Sequence, residues 1–406
     1  MFGPNSIFNN SFFPISQIST LSIEAKIVLA ATLWMAAWWI TEPVPIYVTA
    51  LLPIAIFPSL GVMDFTETSS NYTDKIIFLF LGGFLLAKAV EKSNLHKRFA
   101  YRILKLFGTE PKFIVAGFMV VTWLLGAWMS NTATAIMMLP IALAIISMIN
   151  NVEKYNRFVV CLLLSIAYAA SIGGVTTLIG TPPNAIFASL AYSIAGVDIT
   201  FSQWLLIGLP IGAISLIITW QYMIRFGSKI TDIKQDIFGD KNAVKRKLSD
   251  LGKMSRDEKL VALVFVATAA AWITRGLIWK DVFPMIDDSS IAMAAAIIWF
   301  IRPSKTVNKD KNNISFSKNS NHKLEEQDDV GRVNNNIEVD YGNKTDAPSK
   351  LLDWNTAVTI PWGVLILIGG GLALADGYTM TDLGEWIATQ ISFIGNTNYL
   401  VDFLRN

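Results

Sequence analysis

Apolar runs long enough to cross a bilayer alternate with short polar links along most of the chain. A hydrocarbon core about 30 Å thick asks for ~20 apolar residues per helix. Candidate spans fall near 22–40, 44–60, 75–91, 112–128, 133–150, 157–173, 203–225, 259–279, 289–302 and 356–376. One place breaks the pattern. In GAWMSNTATAIMMLP, Gly126–Pro140, the polar Ser130-Asn131-Thr132 stands between two apolar runs with no charge nearby. Polar groups at that depth are costly unless something satisfies them. The link is too short and too uncharged for an aqueous turn. The pair 112–128 and 133–150 therefore reads as a re-entrant hairpin, its tip inside the membrane and both ends on one side. Irregular backbone there needs protein or a water-filled cavity around it.

Charge orders the spans. Lys92–Lys112 holds six Lys and Arg, Arg225–Lys259 ten and Arg302–Lys350 nine, whereas 61–74 and 196–202 hold none and 278–290 one. The positive-inside rule puts the three basic stretches in the cytoplasm. The hairpin keeps the crossing number even between Lys92 and Arg225.

Composition agrees with a membrane class. The chain has 406 residues, 53% hydrophobic and 16% charged, against about 25% charged in soluble domains. The net charge of +2 says little beside its distribution. The single cysteine, Cys161, lies in an apolar run and reads as packing. The first twenty residues lack the basic start and unbroken apolar core of a secretory signal.

A repeat is visible. FLFLGGFLLAKAVEKSNL (78–95) resembles LILIGGGLALADGYTMTDL (365–383), with Gly82-Gly83 on Gly370-Gly371 at an offset of 288. The first copy runs into a basic stretch and the second starts from one. The copies thus cross in opposite directions, the inverted-repeat plan of secondary transporters. The Asn-, Lys- and Asp-rich 303–352 reads as a disordered cytoplasmic tether.

A second broken place is SIGGVTTLIGTPPNAI, 171–186. Gly173-Gly174, Gly180 and Pro182-Pro183 predict a helix that stops within the membrane and restarts near Asn184. Freed carbonyls and Ser or Asn oxygens suit sodium, and helix N-termini suit carboxylates. One such N-terminus lies at the hairpin tip.

These motifs carry a resemblance. SNTATAIMMLP, GTPPNAI, FLGGFLLAKAVEKSNLHKR and ITEPVPIYVTALLP resemble the divalent anion–sodium symporters, from about Ile23 to Leu383 apart from the polar loop. The resemblance implies a scaffold domain, a transport domain moving as an elevator, and a homodimer. It implies sodium bound by Ser130, Asn131 and the Gly180 carbonyl, and anion contacts from Asn131, Thr132, Thr181 and Pro182. The family often has a sodium-binding Ser four residues before the triplet. Here that position is Gly126, whose contribution would be its backbone. At the repeat offset, second copies of the triplet and of Thr-Pro-Pro are expected near positions 418 and 469, beyond Asn406. The second repeat, the second sodium site and half the substrate site are therefore expected to be incomplete. Asn396-Thr397 lies too early and in too polar a context to stand in.

The remaining signals are bland. There is no P-loop and no H-E-x-x-H. His96 and His322 lie in polar stretches and read as solvated. Gly369-Gly370-Gly371 reads as close helix packing, Lys88 as snorkelling, Glu42 as a cap, and the thirteen tryptophans as interfacial belts.

The resulting expectation is an all-α polytopic membrane protein, in a plasma or bacterial inner membrane. Its parts are an N-terminal segment (1–21), a first inverted repeat (22–227), a basic connector (228–258), the start of the second repeat (259–302), the loop (303–352) and a Gly-rich span with the start of a second hairpin (353–406). It is not an enzyme: no paired carboxylates or nucleophile–base pair appear in the spans. Na+ is the coupling ion and there is no cofactor. The partners are a divalent anion (a C4-dicarboxylate first, citrate or sulfate next), the bilayer and a second copy, but not nucleic acid. The reading of a different class is a truncated, non-transporting product that only associates with intact partners.

Overall fold

The computed structural model describes residues 20–108, 110–149, 155–227, 230, 249–304 and 350–396. The expected loop 303–352 falls mostly outside these residues, as do His322, Thr397, most of the basic connector and nearly all of the N-terminal segment.

Among the described residues the regular elements are helices. Ser22 caps α1 (Ile23–Thr41) by accepting the Ala25 N–H at 3.1 Å, and Glu42 ends it in the left-handed region at φ 47°. Glu42 is thus a cap, as its place before Pro43 implies. The expected span 44–60 is two pieces, α2 (Ile46–Thr49) and α3 (Leu52–Ser59). Next come α4 (Phe65–Ser70), α5 (Lys75–Lys92) and α6 (Leu95–Phe107). The expected hairpin is α7 (Pro111–Gly126) and α8 (Asn131–Ile146), and the expected broken span is α9 (Asn156–Thr176) and α10 (Pro182–Ala195). Then follow α11 (Phe201–Tyr222), α12 (Arg256–Thr274), α13 (Asp288–Ile301), α14 (Trp354–Ala357), α15 (Trp362–Met380) and α16 (Leu383–Asn396). π-Turns extend α11 through Gly227 and α12 through Trp279.

Five of these helices (α1, α9, extended α11, extended α12 and α15) are long and apolar enough to span a bilayer. Their outward faces are apolar too: Leu206, Ile207, Ile214, Ile217 and Ile218 of α11 are all more than half exposed. Water does not tolerate so continuous a patch, and lipid does. The chain is a multi-pass integral membrane protein. By contrast α7 and α8 have 16 residues each. At 1.5 Å per residue that is about 24 Å, short of a full crossing.

The loops sort by charge at the two ends of α5. At its start, Lys75 meets Asp198 at 3.2 Å and Asp287 at 3.5 Å, and Lys280 meets Asp198 at 2.7 Å. Burial acts to raise the Asp198 carboxyl, but hydrogen bonds and charge from Lys280 and Lys75 hold its pKa below the usual range. At the other end, Lys92 meets Asp353 at 2.6 Å and the Lys350 carbonyl at 2.8 Å. On α6, the buried Arg98 pairs with Glu258 at 3.1 Å and donates to the Gly252 and Leu251 carbonyls. The Lys75 end thus collects the loops poor in Lys and Arg, and the Lys92 end collects the rich ones. The two described edges of 303–352 also meet, the Leu351 N–H donating to the Arg302 carbonyl at 3.1 Å.

The repeated glycines pack in matching ways. A Cβ on Gly82 would overlap Ala292 of α13, and one on Gly370 would overlap Ala50 between α2 and α3. Their neighbours Gly83 and Gly371 face Ile179 and Ile186, at 3.1 and 3.2 Å from an added Cβ. The α9–α10 break is therefore held between α5 and α15.

Burial corrects two sequence expectations. His96 is 4% exposed, with Nδ1 3.4 Å from the Val90 carbonyl. Desolvation lowers its pKa below the ordinary imidazole value, and the carbonyl opposes this only in part. Its α6 face packs on α7, which the basic residues around it conceal in the sequence. Trp272 and Trp299 are fully buried, not interfacial. Trp272 stacks near Trp128 at 6.1 Å, and Phe201 and Phe265 complete the cluster.

Candidate ion- and anion-binding site

The hairpin tip and the helix break are docked on each other. Ser130 starts α8 by accepting the Ala133 N–H at 3.3 Å, and the chain turns there because Ser130 leaves the helical region, at ψ 146°. Opposite, α9 does not end at its glycines. Gly173 and Gly174 lie within the helix, and the break runs from Thr177 to Thr181. The glycines are there for contact. A Cβ on Gly173 would stand 2.6 Å from the Trp123 carbonyl oxygen, and one on Gly126 2.8 Å from that of Ala170. Gly126 is therefore a helix-crossing point with no room for the serine side chain the resemblance would place there, and only its backbone is available to a ligand.

Three contacts join tip and break. The Thr177 hydroxyl donates to the Ala127 carbonyl. Asn131 Oδ1 lies against the Cα of Gly174, where any side chain would displace it. Gly180 in turn packs on the Gly174 carbonyl. Asn131, Gly174 and Gly180 are thus brought together. Asn184 fastens the break: its Nδ2 donates to the Gly174 carbonyl at 2.9 Å and the Thr177 carbonyl at 2.8 Å, and it is 6% exposed. Outside, Trp128 anchors the tip in the Phe201–Phe265–Trp272 cluster.

The candidate residues divide by exposure. Gly126 and Gly180 are buried, and Asn131 Oδ1 is a buried acceptor with no hydrogen-bond partner. A buried orphan oxygen is costly and rare. Thr132 is exposed, while Ser130, Thr181 and Pro182 are half-buried. The α8 N-terminus has spare donors: Ser130 takes the Ala133 amide, and the first amides, at Asn131 and Thr132, have no intrahelical partner. The α10 start has fewer. Pro182 and Pro183 carry no N–H, and the Asn184 amide goes to the Thr181 carbonyl at 3.2 Å. Among the described residues no group of three or more His, Cys, Asp or Glu is placed to hold a metal. A cation at this tip would be held by neutral oxygens.

Sequence reasoning had missed Thr177 and Asn184. Each is a polar residue beside the Gly and Pro positions of the break, but its part in the site depends on which carbonyl lies opposite.

A helical hairpin docked on a broken helix, inside an all-α polytopic protein, defines the class of membrane transporters built on discontinuous helices. The chain belongs to the family described as the sodium:sulfate symporter transmembrane region, whose model matches residues 8–399. It is a transporter-family chain, not an enzyme. A sodium-dependent dicarboxylate transporter, SdcS, of Staphylococcus saprophyticus subsp. saprophyticus is 39% identical over 394 residues, 95% of this chain and 68% of the relative. The proteins of the same name from Staphylococcus aureus strains USA300 and RF122 are 38% and 37% identical, over 91% and 92% of this chain and 65% and 66% of their own length. The chain thus spans about two thirds of the length of these curated relatives.

Proposed function

We propose that this chain forms the sodium- and anion-binding part of a sodium-coupled symporter for small divalent anions, C4-dicarboxylates first among them. The observation that carries the reading is the docked tip and break, with the orphan Asn131 Oδ1 buried against Gly174. Sodium sits among Ser130, Asn131 and the backbone of Gly126 and Gly180. The anion's carboxylates face the exposed side, taking the free amides of the α8 N-terminus, the Asn131 and Thr132 side chains, and Thr181 beside Pro182. Sodium beside the anion lowers the cost of bringing negative charge to a site without Lys or Arg, which couples the two bindings. The curated relatives' printed name, sodium-dependent dicarboxylate transporter, supports this substrate class.

The matching glycine contacts of α5 and α15 support the inverted-repeat division at 22–227 and 259–302 with 353–406. In this reading the hairpin, α9, α10 and α11 move as an elevator against the other spans, in a homodimer in the bacterial cytoplasmic membrane, with the Lys92 end of α5 inside the cell.

Uptake of labelled succinate by cells producing a chain that carries both repeats tests the proposal. An inward sodium gradient should drive uptake, potassium should not replace it, and Asn131→Ala should abolish it. Unchanged uptake with unchanged sodium dependence in the variant would contradict it. Sodium-driven uptake of sulfate or citrate in place of succinate would overturn the anion assignment alone.

A further inference from the structure

Thr134 lies one turn into α8, on the face that carries Asn131, and is fully buried. Its hydroxyl has no hydrogen-bond partner. That is unusual for a buried helical threonine, which ordinarily donates to the carbonyl four residues back. Thr68, Thr122, Thr176 and Thr268 do so here, to Asp64, Phe118, Ile172 and Val264 at 2.8, 2.7, 3.1 and 2.8 Å, and the other exception, Thr49, ends the four-residue α2. The corresponding acceptor for Thr134 is the Ser130 carbonyl. It takes the Thr134 backbone N–H at 2.9 Å, and the hydroxyl does not join it. The side chain has been turned away from the bond its own helix offers.

Its direction follows from helix geometry. Residues three apart lie on one face about 4.5 Å apart along the axis. A helical side chain leans back over the turn that precedes it. The Thr134 side chain therefore leans toward Asn131, whose own orphan Oδ1 rests on Gly174. Two partnerless buried oxygens thus stand one above the other where the start of α8 meets the end of α9. Each alone would cost free energy as a buried polar group. Neutral oxygens on one helix face are a donor set that suits a monovalent cation.

We infer that Thr134 is a further ligand of the coupling cation, its hydroxyl oxygen completing the site from the deep side. This rests on the sodium reading of the hairpin tip. It also explains the burial pattern: Thr132 is exposed and faces the anion, while Thr134 faces the ion.

The test is thermal unfolding of the purified full chain in detergent, with sodium chloride titrated against choline chloride at constant ionic strength. Wild type should be stabilised by sodium specifically. Thr134→Val keeps the shape and removes the oxygen. It should raise the half-maximal sodium concentration at least tenfold, yet melt at or above wild type in choline, because an unpartnered hydroxyl has been removed. Thr134→Ser should stay within about threefold of wild type. Should T134V fail to fold, the T134A midpoint gives the same reading. A wild-type midpoint in T134V or T134A overturns the inference alone, as does a marked loss of stability of T134V in choline. No sodium-specific shift in wild type overturns the sodium reading itself.

Discussion

At the scale of single residues, Asn184 shows how the break is kept open. Its amide satisfies the Gly174 carbonyl, which the end of α9 leaves free, and adds a second bond to the Thr177 carbonyl, which also takes the Gly180 N–H at 3.2 Å. Asn184→Ala should destabilise the protein by about 1–3 kcal/mol, the cost of the buried Gly174 carbonyl left unpaired. It should also weaken sodium stabilisation, since Gly174 positions Asn131. A variant melting like wild type with the same sodium midpoint would show that the break holds itself. Ser130, Asn131, Thr132 and Gly180 were legible in the sequence, because polar and Gly residues inside apolar runs are conspicuous. Asn184, Thr177 and Thr134 were not. Their roles depend on which carbonyls lie opposite, or on a missing bond, and neither can be read from spacing. His96 was misjudged for a related reason: neighbouring charge predicts solvent, while burial is decided by the face of α6 that meets α7.

At the scale of elements, the hairpin, the break and the repeated Gly-rich spans followed from apolar patterning and helix breakers. The joints between them did not. Gly82-Gly83 and Gly370-Gly371 looked alike in sequence, but only the structure pairs the first glycine of each with an alanine and the second with an isoleucine of the broken helix. Close approach of backbones sets this packing, and small residues permit it. Gly82→Val and Gly370→Val should each destabilise by about 1–3 kcal/mol or more, since a Cβ overlaps Ala292 or Ala50 in either case. Equal melting of wild type and either variant would refute the equivalence of the two crossings. The break of 44–60 into α2 and α3 was likewise hidden, since its prolines fit either one kinked helix or two short ones.

At the scale of the whole molecule, charge and apolar packing divide the labour. The Lys75 and Lys92 ends of α5 gather the loops by charge, as the count of Lys and Arg along the chain anticipates. The apolar core does not follow sequence halves. One large cluster joins α5, α12, α13 and α15 around Ile179; another joins α6 to α9 with α11. The candidate site lies where the second meets the first, at tip and break. The proposed coupling depends on that site holding sodium through neutral oxygens. Equilibrium binding of radioactive sodium to the purified protein, wild type beside Asn131→Ala, tests it most directly. Wild type should bind sodium saturably, displaced by unlabelled sodium but not by potassium, and the variant should lose that binding. No saturable binding in wild type, or equal binding in N131A, would contradict it.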